Sequence, residues 1–229
     1  MKESININTI AGAIDHAVLN PIDGKKEIIE ACKTAKEYKI ASLCVKPSYV
    51  SFTAEQLKGT NVLVCTVIGF PHGGTTTAVK ILEAQEALQN GAKEIDMVIN
   101  IAKLKEGDIN YVKNEIRVLA NCVHQNGGIL KVIIETALLT EQEKKLCCEI
   151  IDETGADYIK TSTGFASGGA LIEDIRLFKS VLGSRVKIKA SGGIKNIEQA
   201  NEFLQEGCSR LGTSKTAQIL SSVEADGGY

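Results

Sequence analysis

The sequence has little that would tie it to a membrane, a nucleic acid or a metal. No apolar run in its 229 residues approaches the length needed to span a bilayer. Residues 1–15 lack the basic start and apolar core of a secretory signal, so a cytoplasmic location is expected. The net charge of −2 provides no basic footprint for nucleic acid and no attraction to an anionic membrane. His16, His72 and His124 are scattered, with no HxxxH pair and no histidine–carboxylate cluster, so no catalytic metal is expected. The seven cysteines (32, 44, 65, 122, 147, 148 and 208) form an odd set without a CxxC, which suits reduced thiols acting as small buried hydrophobes. No Pro/Ser-rich linker or charged block divides the chain.

What is present is an ordinary globular composition, 44% hydrophobic and 24% charged, in a length suited to a barrel or doubly wound sheet. A single domain over residues 1–229 is expected, with a short helical segment at the start and a mobile polar tail from about residue 221. Nothing in the composition decides whether the chain forms a homo-oligomer.

Short apolar runs alternate with longer helical patterns. Strands are expected near Ala17–Leu19, Ala41–Val45, Val62–Ile68, Glu94–Ile99, Leu130–Glu135, Ala156–Thr161, Val186–Ala190 and Ser209–Gly212. Between them Ala78, Ile81, Leu82 and Leu88 fit one helical stripe, and Leu171, Ile175, Phe178 and Leu182 another. Thr140 and Glu143 have capping-box spacing. The stretches NGAKEIDMV, TGADYIKT and EGCSRLGT each read as helix, glycine, strand. Eight strands alternating with helices imply an α/β fold of the (β/α)8 TIM-barrel kind, with an open doubly wound sheet as the alternative. A barrel gathers its chemistry at the C-terminal strand ends, and the unusual residues of this chain follow the apolar runs.

Two lysines are the most unusual of them. Lys160 ends the sixth run, within DYIKTSTGF, and Lys189 sits near the end of the seventh, within VKIKASGG. Either could be a structural lysine reaching from a strand end to solvent. Twenty-nine residues apart, they should lie on neighbouring strands. A second ammonium and partial burial both disfavour protonation, and a drop of about three pKa units corresponds to about 4 kcal/mol. A neutral amine can then attack a carbonyl and form an imine. Asp96, inside the fourth run, needs a cationic partner; it could hold one lysine or shuttle protons through a water. Asp15, beside His16, could extend this network. Gly164, Gly192, Gly193, Gly212 and Ser214 follow strands six to eight, where barrels commonly bind phosphate.

Taken together, DHAVLNP, VIGFPHG, EIDMVIN, KVIIET, DYIKTSTGF and VKIKASGGI resemble deoxyribose-phosphate aldolases, class I aldolases built on a TIM barrel, from about Asp15 to Lys215. The resemblance implies cleavage of 2-deoxy-D-ribose 5-phosphate to acetaldehyde and D-glyceraldehyde 3-phosphate, without metal or organic cofactor. It implies Lys160 as the Schiff-base lysine, Lys189 as the lysine that perturbs it, Asp96 as the acid/base and Asp15 as its support. Gly164, Gly192, Gly193, Gly212 and Ser214 match phosphate-loop positions, and Tyr229 resembles a C-terminal proton-transfer tyrosine. Two departures are visible. Lys46 stands where a neutral residue is expected, and Lys195 where many members carry arginine, losing a bidentate phosphate grip. A transaldolase-like enzyme and a sugar-phosphate-binding barrel without catalysis are the rival readings.

Overall fold

The computed structural model describes residues 6–221. Eight parallel strands close into a barrel in sequence order: β1 (Ile14–Val18), β2 (Ser42–Val45), β3 (Leu63–Ile68), β4 (Glu94–Val98), β5 (Ile129–Ile133), β6 (Tyr158–Lys160), β7 (Lys187–Ser191) and β8 (Arg210–Thr213). The closing seam pairs β1 with β8, placing Asp15 opposite Gly212. Such strands are covered on both faces, by helices outside and by packed side chains inside, so they read as nearly unbroken apolar runs.

The outer layer is helical. Its main members are α2 (Lys25–Tyr38), α4 (Thr77–Gln89), α6 (Ile109–Gln125), α7 (Glu141–Thr154), α8 (Ile172–Val181) and α9 (Ile197–Gln205). The short helices α1 (Ile7–Ala13), α3 (Val50–Gln56), α5 (Ile101–Lys105) and α10 (Thr216–Ser221) fill the remaining places. On α6, Val112, Ile116, Leu119 and Val123 form the buried stripe, and Asp108 caps the first turn by accepting from the Tyr111 amide. At the head of α7, Thr140 and Glu143 form the reciprocal capping box that their spacing predicts. The three helix–glycine–strand joints adopt the expected left-handed turn, with φ of 105° at Gly91, 94° at Gly155 and 113° at Gly207.

One boundary differs in a way that matters for the site. The first strand begins at Ile14, three residues before the expected Ala17, and follows directly from α1. A carboxylate inside the run Ile14–Val18 disguises it. Asp15 is buried, and it belongs to the barrel wall rather than to an approach to it.

Behind the barrel, Lys80 of α4 and Glu115 of α6 form a fully buried ion pair at 2.8 Å. The Lys80 ammonium also donates to the Val98 carbonyl (2.7 Å), and Glu115 accepts from the Asn100 amide (3.0 Å). This brace ties two outer helices to the end of β4, the strand that carries Asp96.

Candidate active site

Strand register decides the site. Lys160 and Lys189 are direct partners on β6 and β7, and Asp96 faces Lys131 across β4 and β5. The Lys160 and Lys189 ammonium groups reach the same atom, Oδ2 of Asp96, at 2.7 and 2.8 Å. Lys189 also donates to Oδ2 of Asp15, whose Oδ1 accepts from the Ser42 hydroxyl (2.7 Å) and from Arg210.

Beneath them lie two further cations, Lys131 and Arg210. Lys131 is wholly buried and bonds Oδ1 of Asp96 (2.8 Å), Oε2 of Glu94 (2.7 Å) and the Cys65 sulfur (3.3 Å), with Oδ2 of Asp15 at 3.4 Å. Arg210 grips Glu94 through both terminal nitrogens, at 3.0 and 2.6 Å. Buried charges persist only when paired, and here each has at least one partner.

The environment fixes charge states. Burial alone would raise the Asp96 carboxyl, but Lys131, Lys160 and Lys189 outweigh it and hold its pKa well below the usual carboxylate range. Asp15 is likewise raised by burial and lowered further by Lys131, Lys189 and Arg210, so it too stays ionised. Burial disfavours the Lys189 ammonium, yet Asp15 and Asp96 more than compensate, and its pKa lies above the ordinary lysine value. Lys189 is therefore a standing positive charge beside Lys160.

Above this cluster opens a cavity of about 520 Å³. Lys160, Lys189 and Asp15 form part of its floor, and Gly164, Gly192, Gly193, Gly212 and Ser214 line its wall, as does Lys195. Asp96 does not line it and lies below, bonded to Lys160 and Lys189. The loops after β6 and β7 are locked together. Ser191 donates through its amide to Thr161 Oγ1 (3.1 Å) and through its hydroxyl to the Ser162 carbonyl, and Thr161 donates to the Ser191 carbonyl (3.2 Å). Gly192 sits at φ 85° with its backbone against Gly169, where a Cβ on Gly169 would lie 2.4 Å from the Gly192 oxygen. A Cβ on Gly212 would meet the Ser191 Cβ at 2.6 Å and the Lys189 Cε at 3.4 Å. Gly212 thus makes room for the Lys189 side chain besides lining the wall.

A family model described as DeoC/LacD family aldolase matches residues 9–210. The chain belongs to this aldolase family. A deoxyribose-phosphate aldolase of Staphylococcus epidermidis is 49% identical over 219 residues, covering 96% of this chain and 99% of the relative. Another, from Treponema denticola, is 49% identical over 208 residues, covering 91% and 96%. Among solved structures, a deoxyribose phosphate aldolase from Aeropyrum pernix, described as having a unique tetrameric structure, superposes with a TM-score of 0.89 at 27% identity, covering 96% of this chain and 93% of that one.

For this aldolase, the sequence-predicted residues fall into three groups. Lys160, Lys189, Asp96 and Asp15 converge on one hydrogen-bonded cluster, and the five predicted phosphate-loop residues share the cavity above it. Tyr229 lies outside the described residues, as does nearly all of the tail. His16 does not extend the Asp15 network; its Nδ1 pairs with Thr216 Oγ1 at 2.7 Å, because neighbouring residues on a strand face opposite ways. Lys46 does not line the cavity; it donates to the carbonyls of Asn20 (2.8 Å), Pro21 (3.1 Å) and Asp23 (2.6 Å), closing the loop after β1. Its charge is met by those three carbonyl oxygens.

Sequence reasoning missed Lys131, Glu94, Arg210 and Cys65. The signal was there for Lys131, a charge inside the run Leu130–Glu135, by the same reasoning that singled out Asp96. The ligand atoms of Cys44, Cys65 and Asp96 lie within 4.8 Å of one another, a spacing that could hold a metal ion. The carboxylate of that trio is already shared by three lysines, whose charges repel a metal cation.

Proposed function

We propose that this aldolase cleaves 2-deoxy-D-ribose 5-phosphate to acetaldehyde and D-glyceraldehyde 3-phosphate through a Schiff base on Lys160. The unprotonated Lys160 amine attacks the C1 aldehyde of the open-chain sugar, and loss of water from the carbinolamine gives a protonated imine. A base removes the C3 hydroxyl proton, and the C2–C3 bond breaks. Its electron pair flows into the imine, leaving an enamine on Lys160 and releasing glyceraldehyde 3-phosphate. Protonation at C2 and addition of water then free acetaldehyde and regenerate the amine.

The observation that carries this reading is the sharing of one Asp96 oxygen by Lys160 and Lys189 on the floor of the cavity. Asp96, ionised and fixed, is suited to pass protons through a water at the carbinolamine and C3 stages. Lys189, held as a cation, disfavours a second positive charge next to it. The loops carrying Gly164, Gly192, Gly193, Gly212 and Ser214 offer small residues on the wall, where backbone amides can approach a phosphate, with the Lys195 cation nearby. Tyr229 is assigned to C2 protonation on the family resemblance alone. The tetrameric Aeropyrum pernix relative supports self-association of this chain.

Borohydride reduction in the presence of acetaldehyde tests the reading. It should leave an ethyl group on Lys160 alone among the lysines, located by peptide mass analysis. A stable adduct on Lys189 or Lys46 overturns the assignment. A coupled assay should detect acetaldehyde from 2-deoxyribose 5-phosphate; transfer of a dihydroxyacetone unit instead would mark a transaldolase-like enzyme.

A further inference from the structure

The charged groups enclosed by the barrel face one another from six of its strands. Asp15 comes from β1, Glu94 and Asp96 from β4, Lys131 from β5, Lys160 from β6, Lys189 from β7 and Arg210 from β8. The other polar or titratable neighbours are Ser42 and Cys44 of β2, Cys65 of β3, and Tyr158 of β6, whose ring lies under Arg210. Counted with every group in its ordinary charge state, this set holds one more cation than anion. Lys131 is the cation with the most partners, and it has no access to the cavity.

We propose that Lys131 is a positioning residue for the imine chemistry: it occupies Oδ1 of Asp96, which dedicates Oδ2 to Lys160 and Lys189, and its fixed charge supplies the excess that is relieved when Lys160 gives up its proton. The division of the Asp96 oxygens is complete. Oδ1 accepts from Lys131 and the Cys65 thiol, and Oδ2 accepts from the two upper lysines. Lys131 also bridges Asp96 to Glu94, which Arg210 holds in turn, so the Asp96 carboxylate cannot rotate without breaking several charge-assisted bonds. Of the four cations, Lys160 has a single carboxylate partner, Asp96, and forms part of the cavity floor. It is the one from which a proton leaves with least loss of pairing and with a path to solvent.

This inference rests on the Schiff-base reading, and the test separates the two. Lys131→Met removes one buried cation, and Glu94→Gln removes one buried anion while keeping an acceptor. The two changes should displace the pH–rate profile in opposite directions. For Lys131→Met, the limb of kcat/KM that rises with pH should move up by about one unit, with kcat at neutral pH falling on the order of tenfold. KM should stay within about twofold, because Lys131 touches no part of the cavity. For Glu94→Gln the same limb should move down. A purely structural role would lower activity in both variants without opposite displacements. Unmoved limbs, or limbs moving the same way, overturn the proposal. Should Lys131→Met not fold, as judged by thermal unfolding, the downward shift in Glu94→Gln decides the matter. A wild-type protein that traps no adduct on Lys160 defeats the Schiff-base reading itself; one that traps it while both profiles stay put defeats only the role of Lys131.

Discussion

At the scale of single residues, position relative to the cavity separates charges that act on substrate from charges that hold the wall. Lys46 and Lys195 looked alike as departures from the family pattern, yet Lys46 is tied to three carbonyls while Lys195 lines the cavity. Lys195→Met should therefore raise KM for 2-deoxyribose 5-phosphate several-fold, equivalent to about 1 kcal/mol, and leave activity on unphosphorylated deoxyribose unchanged. Equal losses on both substrates would place the phosphate elsewhere. Lys195 is a cleaner probe than Gly193, whose φ of 84° would strain any replacement whatever the phosphate does. The residues that converge on Asp96 were legible where two oddities could be compared, as with Lys160 and Lys189 on consecutive runs. Lys131 stood alone inside its run with no second oddity to compare it with; Glu94 was hidden because a lone charge at the edge of an apolar run reads as the strand's end, and Arg210 because it follows a glycine joint where a surface charge is ordinary.

At the scale of elements, hydrophobic periodicity and glycine joints made the alternation of strand and helix legible, and the register then followed from closure of the barrel. The exception, β1, shows the limit of periodicity: a strand with a buried carboxylate at its second position loses the pattern that would announce it. The Lys80–Glu115 brace was also invisible, since each residue on its helix looks like part of a solvated face until the two helices are packed. Its removal should be costly. Glu115→Ala leaves a buried ammonium unpaired and the Asn100 amide without its acceptor, and should destabilise the protein by about 3–5 kcal/mol. Paired replacement, Lys80→Met with Glu115→Leu, should recover a substantial part of that loss. Urea midpoints measure both; a single variant no worse than the double would deny the brace its role. Because the brace ends at Val98 and Asn100, the single variant should also lower kcat through displacement of β4.

At the scale of the whole molecule, the buried groups set a pH window for stability. Burial lowers the His16 pKa to about 4, so the unfolded chain takes up a proton there first, and stability should decline as pH falls from about 6.5 towards 4. Asp15 and Asp96 have folded pKa values below their unfolded ones; their contribution is present above about pH 4 and is lost below it. In the other direction, burial pushes the Cys148 and Cys208 thiols up to about 12, so stability declines as pH rises past about 8.5, where unfolded thiols ionise. The raised Lys131 and Lys189 add stability that begins to be lost only above about pH 10.4. Urea unfolding across this range should show a plateau between about pH 6.5 and 8.5, and His16→Gln should flatten the first acid step alone. A protein equally stable at pH 6.5 and pH 4 would contradict this account. The pairing of Asp15 has a consequence for how the protein is made. That carboxylate sits on the first strand, but its cations arrive on the fifth, seventh and eighth. Until those strands emerge, closing over the earliest part of the wall would enclose Asp15 without its cations. Closure of the barrel and assembly of its charged cluster then become coupled, and a polypeptide cut short before Arg210 should yield neither.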